Sequence, residues 1–165
     1  MSFECHQTSE AQNLAAWQAT IGLHLNEPPL AFASQEGALE QLFRRASDEP
    51  LMLVLDEYPH LHGLVKGIDS ILQALIDRFN GRSKVKVILC GSYIDIMTAI
   101  LDYASPLYGR AGLVMHLKPM DYPETSAFYP DFSDEDKVRL YSVFGGILEL
   151  GRGRGISNLD KKARI

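Results

Sequence analysis

A chain of 165 residues with 46% apolar and 22% charged residues has the size and balance of one globular domain built around a sizeable core. Sixteen Lys and Arg against 21 Asp and Glu give a net charge of −5, which argues against direct nucleic-acid binding or a membrane-surface role. The two cysteines, Cys5 and Cys90, are too few for a disulfide scaffold or a four-thiolate metal site, and with no signal-type start and no apolar run longer than Leu51–Leu55 the chain is expected in the cytoplasm.

Taken in chain order, Thr8 or Ser9 caps a helix that carries Leu14, Trp17, Ile21 and Leu25 on one face and stops before Pro28-Pro29. Ala38, Leu39, Leu42, Phe43 and Ala46 form a second helical stripe, closed by Pro50. Leu51–Leu55, short and apolar throughout, reads as a strand covered on both faces. Ile68, Ile71, Leu72, Leu75, Ile76 and Phe79 then fall on the strongest helical stripe of the chain, with Asn80-Gly81 as its stop. Val85–Leu89 is the next strand, followed by a helix through Ile94, Met97, Ile100 and Leu101, and Leu113–Leu117 reads as a third strand.

Ser133 opens an acidic first turn, Asp134-Glu135-Asp136, of a helix expected to bury Val138, Tyr141 and Phe144 and to stop at Gly145-Gly146. The body is therefore a domain over 1–148. Residues 149–165 form a basic tail opening with Gly151-Arg152-Gly153-Arg154-Gly155, which has no hydrophobic period and is expected to be flexible. That glycine run follows no predicted strand, so it is not read as a phosphate cradle. Strands alternating with amphipathic helices imply crossover connections, a parallel sheet and an α/β fold.

In an open parallel sheet ligands bind beyond the carboxyl ends of the strands. One predicted strand ends in Asp56-Glu57, the pattern in which one carboxylate orients the waters around Mg²⁺ and the next polarises an attacking water. Strand-end acids also cap the turn that follows, so both readings stand. Ser92, at the end of the next strand, either presents a hydroxyl beside a phosphate or caps the helix starting near Tyr93. A hydrolase nucleophile elbow would need Gly where Ile94 stands.

Asp56, Glu57, His60 and His62 are close enough in sequence for a metal site, zinc being the natural occupant, although Pro59 interrupts the helical spacing such sites use. Cys90 reads as a small buried apolar residue. Arg110, just before Leu113–Leu117, is placed to reach a phosphate or to form a surface ion pair.

In order along the chain, Leu53-Val54-Leu55-Asp56-Glu57-Tyr58-Pro59, Val87-Ile88-Leu89-Cys90-Gly91-Ser92 and Ser105-Pro106-Leu107-Tyr108-Gly109-Arg110 resemble successive blocks of the archaeal-type ATPase family, P-loop ATPases of the AAA-related, additional-strand class. Leu117-Lys118-Pro119-Met120, Phe128-Tyr129-Pro130-Asp131 and Tyr141–Ile147 continue the series, so the resemblance covers roughly residues 3–148. It implies ATP and Mg²⁺ as cofactors and a three-layer parallel sheet of P-loop NTPase type. Asp56 would be the Walker B carboxylate holding Mg²⁺ through water and Glu57 the catalytic glutamate. Ser92 would be the polar sensor and Arg110 the phosphate-contacting arginine.

The chain departs from the family in one large respect. No Gly-x-x-x-x-Gly-Lys-[Ser/Thr] occurs in the 165 residues, and Phe3-Glu4-Cys5 resembles the family's second strand, as though the chain starts after the P-loop unit. Without that amide cradle and lysine, ATP is expected to bind weakly and hydrolysis to be weak or lost. In the sheet order that the resemblance implies, the absent strand lies between Leu113–Leu117 and Val85–Leu89. Its loss leaves two unpaired edges or makes these strands pair directly, and unpaired edges are expected to draw a protein partner or a second copy. A non-catalytic interaction fragment is the alternative function, and a metal-dependent hydrolase on Asp56, Glu57, His60 and His62 a lesser one.

Overall fold

A computed structural model describes residues 1–26, 28 and 31–147. The element order is β1 (Ser2–Glu4), α1 (Glu10–Leu25), α2 (Gln35–Arg45), β2 (Leu51–Asp56), α3 (Tyr58–Leu64), α4 (Ile68–Phe79), β3 (Val85–Leu89), α5 (Ile94–Ala99), α6 (Tyr122–Ala127) and α7 (Asp134–Phe144). The chain divides into two compact units, Met1–Leu113 and a second beginning at Val114. The basic tail read over 149–165 lies outside the described residues.

The first unit is α/β. Its sheet has three parallel strands in the order β1-β2-β3, with Phe3 beside Leu55 and Leu55 beside Leu89. Parallel neighbours need long crossovers, and helices supply them: α1 and α2 between β1 and β2, α3 and α4 between β2 and β3. One face of the sheet, Phe3, Leu53 and Leu55, is fully buried against Trp17 and Ile21 of α1, Leu39, Leu42 and Phe43 of α2, and Leu72 and Leu75 of α4. Phe3 stacks on Trp17 with ring centroids 4.9 Å apart, and Phe43 meets Phe79 at 5.8 Å. Each such large side chain taken from water contributes roughly 1.5–3 kcal/mol.

The helix ends follow their capping residues. Ser9 caps α1 in a capping box with Gln12, and Asn26 closes it in a left-handed conformation. The α1 stripe packs as its period requires, and so does α4, which spans Ile68–Phe79. Buried Asn13 ties the β1–α1 connection: its side chain donates to the carbonyls of His6 and Ser9 and to the Thr8 hydroxyl, and accepts from the His6 N–H.

Three local expectations are corrected. Strand β2 is covered on one face only, since Met52 on the other is 53% exposed. Leu113–Leu117 is not a strand: no strand pairs with it among the described residues, and Leu113, Val114, Met115 and Leu117 are between 66% and 81% exposed. An apolar run becomes a strand only when a neighbour takes up its backbone hydrogen bonds. Direct pairing of this run with Val85–Leu89 is accordingly not formed. In α7 the buried residue is Leu140 rather than Val138, which is 51% exposed.

The second unit is small and helical. Asp121 caps α6 in a box with Glu124, Ser133 caps α7, and Tyr122 of α6 meets Tyr141 of α7 edge-on at 5.6 Å. The Met120 N–H donates to the Gly146 carbonyl at 3.2 Å, holding the chain two residues before α6 to the chain two residues after α7. No helix among the described residues is long and apolar enough to cross a membrane.

The one-sided burial of β2 makes a direct prediction. Leu53→Ala is expected to cost about 2–5 kcal/mol, as deletions in packed cores do, whereas exposed Met52→Ala should stay within about 0.5 kcal/mol. Denaturant titration of the two variants checks this. A second prediction concerns alkali. Burial, with Asp56, Glu4 and Glu57 nearby, pushes the Cys5 thiol from its ordinary value of 9.0 up to about 12. The unfolded chain releases this proton first, so stability should be intact below about pH 9 and decline as pH rises toward about 12. Cys5→Ala should flatten that decline in urea midpoints measured across the range.

Candidate functional site at the carboxyl ends of β2 and β3

Strand β2 is held on both sides where it ends. The Cys5 N–H donates to the Asp56 carbonyl at 2.8 Å and the Cys90 N–H to the Leu55 carbonyl at 3.0 Å. Two residues after Asp56 the Tyr58 N–H donates to the Cys90 carbonyl at 2.8 Å. Between these anchors the chain must leave the sheet and enter α3, and Glu57 makes the turn with φ 49°, ψ 43°. The left-handed region is costly for a side chain with a Cβ, and it persists where surrounding bonds over-determine it. The Glu57 N–H donates to Oδ1 of Asp56 at 3.1 Å, so the strand-end acid also caps its own turn.

Glu57 is joined to the neighbouring strand end. Its Oε2 accepts from the Ser92 hydroxyl at 3.1 Å and from the Ser92 N–H at 3.4 Å. Gly91 permits this approach: a Cβ there would lie 2.5 Å from Cδ and 2.8 Å from Cγ of Pro59, the second residue of α3, too close for the ring to remain where it is. Asp56, Glu57 and Ser92, three of the four residues to which the family resemblance gives a role, therefore stand together at the tips of two adjacent parallel strands. A cleft of about 390 Å³ at the same end of the sheet is bounded by His6 and Thr8 after β1, Pro59 and His60 after β2, and Tyr93 and Ile96 after β3.

Arg110 is not with them. Its guanidinium makes a two-pronged ion pair with Asp77 on α4, at 3.0 and 2.7 Å, and donates to the carbonyls of Pro106 and Tyr108. The pairing holds the Asp77 carboxyl below its usual range and raises the guanidinium. Residues 33 positions apart in sequence are thereby joined, one of the two roles open to an arginine at this place.

His60 and His62 are also drawn elsewhere. The ring of His60 meets Tyr93 edge-on at 5.6 Å, and Nδ1 of His62 lies 3.0 Å from Oδ2 of Asp69. Among the described residues no group of three or more His, Cys, Asp or Glu is placed to hold a metal ion, so the four-residue cluster read at 56–62 is not assembled.

Two features were not visible in the sequence. The phenol of Tyr58, fully buried, donates to Oδ1 of Asp69 at 2.5 Å, and Asp69 also takes His62. Burial and this carboxylate raise the Tyr58 phenol far above its ordinary value. The residue after Glu57 is thus fixed to α4 by a buried side chain. Cys90, beside the acids, is the other: burial first, then the charges of Asp56 and Glu57, raise its thiol.

The donor set fits a hard cation. Asp56, Glu57 and Ser92 offer only oxygen, and Asp56 is exposed with one carboxylate oxygen outside the turn it caps. The set does not by itself fit a polyphosphate, because the three residues carry two negative charges and no positive one, and Arg110 is committed to Asp77.

Comparison with known proteins bears on the fold. No family model matches the chain. It is 31% identical over 122 residues to an uncharacterized protein of Methanocaldococcus jannaschii, an alignment covering 73% of this chain and 27% of that protein. Among solved structures it is similar to the Walker-type ATPase of Pyrococcus abyssi, with a TM-score of 0.63 and 18% identity over 93% of this chain and 56% of that one. The chain thus spans about a quarter of the curated relative and just over half of the structural one, and it has the α/β fold of a Walker-type ATPase.

Proposed function

We propose that this chain carries the magnesium side of an ATPase site of the archaeal-type P-loop family, with Asp56, Glu57 and Ser92 as its working residues. The observation that carries the reading is the Glu57–Ser92 hydrogen bond, which joins the tips of two neighbouring parallel strands in a chain with the fold of a Walker-type ATPase. Mg²⁺, when bound, neutralises charge on the β- and γ-phosphates. Asp56 is the residue to hold it through water, using the carboxylate oxygen left free by the turn.

Glu57 is the residue to accept a hydrogen bond from the attacking water. Only one of its oxygens takes Ser92, and the other is left for the water's proton. Ser92 fixes the Glu57 side chain, its hydroxyl and N–H both donating to Oε2. The 165 residues contain no Gly-x-x-x-x-Gly-Lys-[Ser/Thr], so in this chain alone the nucleotide is held weakly and hydrolysis is slow or lost. A second reading, an interaction module that keeps the fold without the chemistry, is favoured by the exposed apolar run Leu113–Leu117.

Cys90 supplies a test that needs no turnover. A divalent cation at Asp56 offsets the charges that raise the Cys90 thiol, so more of it becomes thiolate at a given pH and alkylation accelerates. Mg²⁺ is expected to speed Cys90 alkylation in the native chain but not in Asp56→Asn, where the charge is already gone and Oδ1 still caps the turn. Equal rates with and without Mg²⁺ in the native chain would remove the cation site. Mg-ATP at about a hundred times its dissociation constant would add about 2.7 kcal/mol to stability, so thermal unfolding of the same two proteins reads the nucleotide separately.

A further inference from the structure

The outer edge of β3 has a definite chemistry. Cys90 turns its N–H and C=O toward β2, donating to Leu55 and accepting from Tyr58. Backbone direction alternates along a strand, so Val85, Val87 and Leu89 turn their groups outward, and among the described residues no strand pairs with that edge. The Val85 N–H is met by the Ser83 hydroxyl at 3.3 Å. On the open face of the sheet, Lys86 and Ile88 of β3 lie in the exposed row with Met52 of β2.

Charge is polarised along this strand. Exposed Arg82 and Lys84 lead into it, while Asp56 and Glu57 stand at its far end on the neighbouring strand. A second copy laid antiparallel along the edge brings its basic end to the acidic end of the first, twice over. The register follows from two requirements. Outward-facing residues must oppose outward-facing ones, and Lys86 must not oppose itself, since like charges directly across a pair are destabilising. Pairing all five residues of β3 then puts Val87 opposite Val87, Val85 opposite Leu89 and Lys86 opposite Ile88. Lys84 falls opposite Cys90, whose other neighbour in the sheet is Asp56.

We propose that two copies of this chain join β3 to β3 antiparallel about a two-fold axis at Val87, and that the join brings Lys84 of each copy to Asp56 of the other. Two strand spacings, about 10 Å, separate those two positions on one face of the sheet, within reach of an extended lysine across the small Cys90 side chain. In the single chain the Lys84 ammonium donates to the Asp48 carbonyl at 3.2 Å, an exposed bond that a carboxylate outcompetes. The join does not rest on the nucleotide reading, because mass and cross-linking report it whatever Asp56 binds.

Light scattering on the full chain is expected to give twice 18.4 kDa, and a monomer at high micromolar concentration would overturn the proposal. The register is read in a Cys90→Ser background. A Lys86→Cys chain mixed with an Ile88→Cys chain should form a disulfide on oxidation, since such facing pairs lie within bonding distance. Each variant alone should not, because the like positions are then diagonal neighbours about 7–8 Å apart. A cross-link in Ile88→Cys alone, or none in the mixture, would overturn the register.

Ile88→Lys, at an exposed position, should stay folded by circular dichroism yet run as a monomer, because it sets lysine against Lys86. A dimer that survives Ile88→Lys lies on another surface and sinks the assignment. Lys84→Glu should weaken the dimer while Lys84→Arg preserves it, and equal association of the two would remove the lysine from the interface.

Discussion

Strand β2 is paired with a parallel neighbour on each side, and the turn that follows it depends on that constraint. Three backbone bonds with Cys5 and Cys90, the residues that follow β1 and β3, hold residues 55–58, so the direction of the chain is fixed both before and after residue 57. Only a left-handed residue closes the gap between a strand running out of the sheet and a helix whose first side chain, Tyr58, is buried on Asp69. The orientation of the Glu57 carboxylate toward Ser92 is therefore a property of the sheet and of α4 as much as of the loop. Remote groups, such as the Tyr58 phenol, act on the site through this geometry rather than by touching its chemistry.

The same corner is electrostatically one-sided. Asp56 and Glu57 stand beside two thiols, Cys5 after β1 and Cys90 after β3, and both thiols are raised by burial and by these acids. The basic residue that the sequence placed nearby, Arg110, is spent on Asp77. Such a corner suits a positive charge, whether the hard metal ion or the ammonium group of another chain proposed above. The two proposals above describe different occupants of one field, and the all-oxygen donor set is what gives a divalent ion its advantage there.

Much of this was legible in the sequence, for reasons that differ by element. The helix over Ile68–Phe79 was clear because its apolar period runs nearly unbroken to Asn80-Gly81, and the first helix because Ser9 and its apolar face agree. Asp56, Glu57 and Ser92 come to neighbouring strand ends because the end of an apolar strand fixes where its next residues stand. Helix α3 was hidden by Pro59, which reads as a break but is well suited to the first turn of a helix.

Once α3 forms, His60 and His62, two residues apart, point away from each other, and this dissolves the apparent metal cluster. The pairing of Arg110 with Asp77 spans 33 residues and leaves no local trace. Leu113–Leu117 has the composition of a strand, yet composition cannot reveal whether a neighbour is there to accept its hydrogen bonds. Nor could the pattern at 138–144 tell Leu140 from Val138, because an eleven-residue helix in a small unit buries too narrow a stripe.

Residue 57 carries a further implication for sequence drift. Glycine adopts this backbone with no steric cost, so on stability alone the position favours losing its side chain altogether. A glutamate there is conformationally disadvantaged, and random substitution would exchange it readily unless something other than folding kept the carboxylate. The turn therefore acts as a gauge of selection: in a lineage where this corner has no work to do, glycine is the residue that should accumulate at position 57 first, well before the buried tyrosine beside it changes.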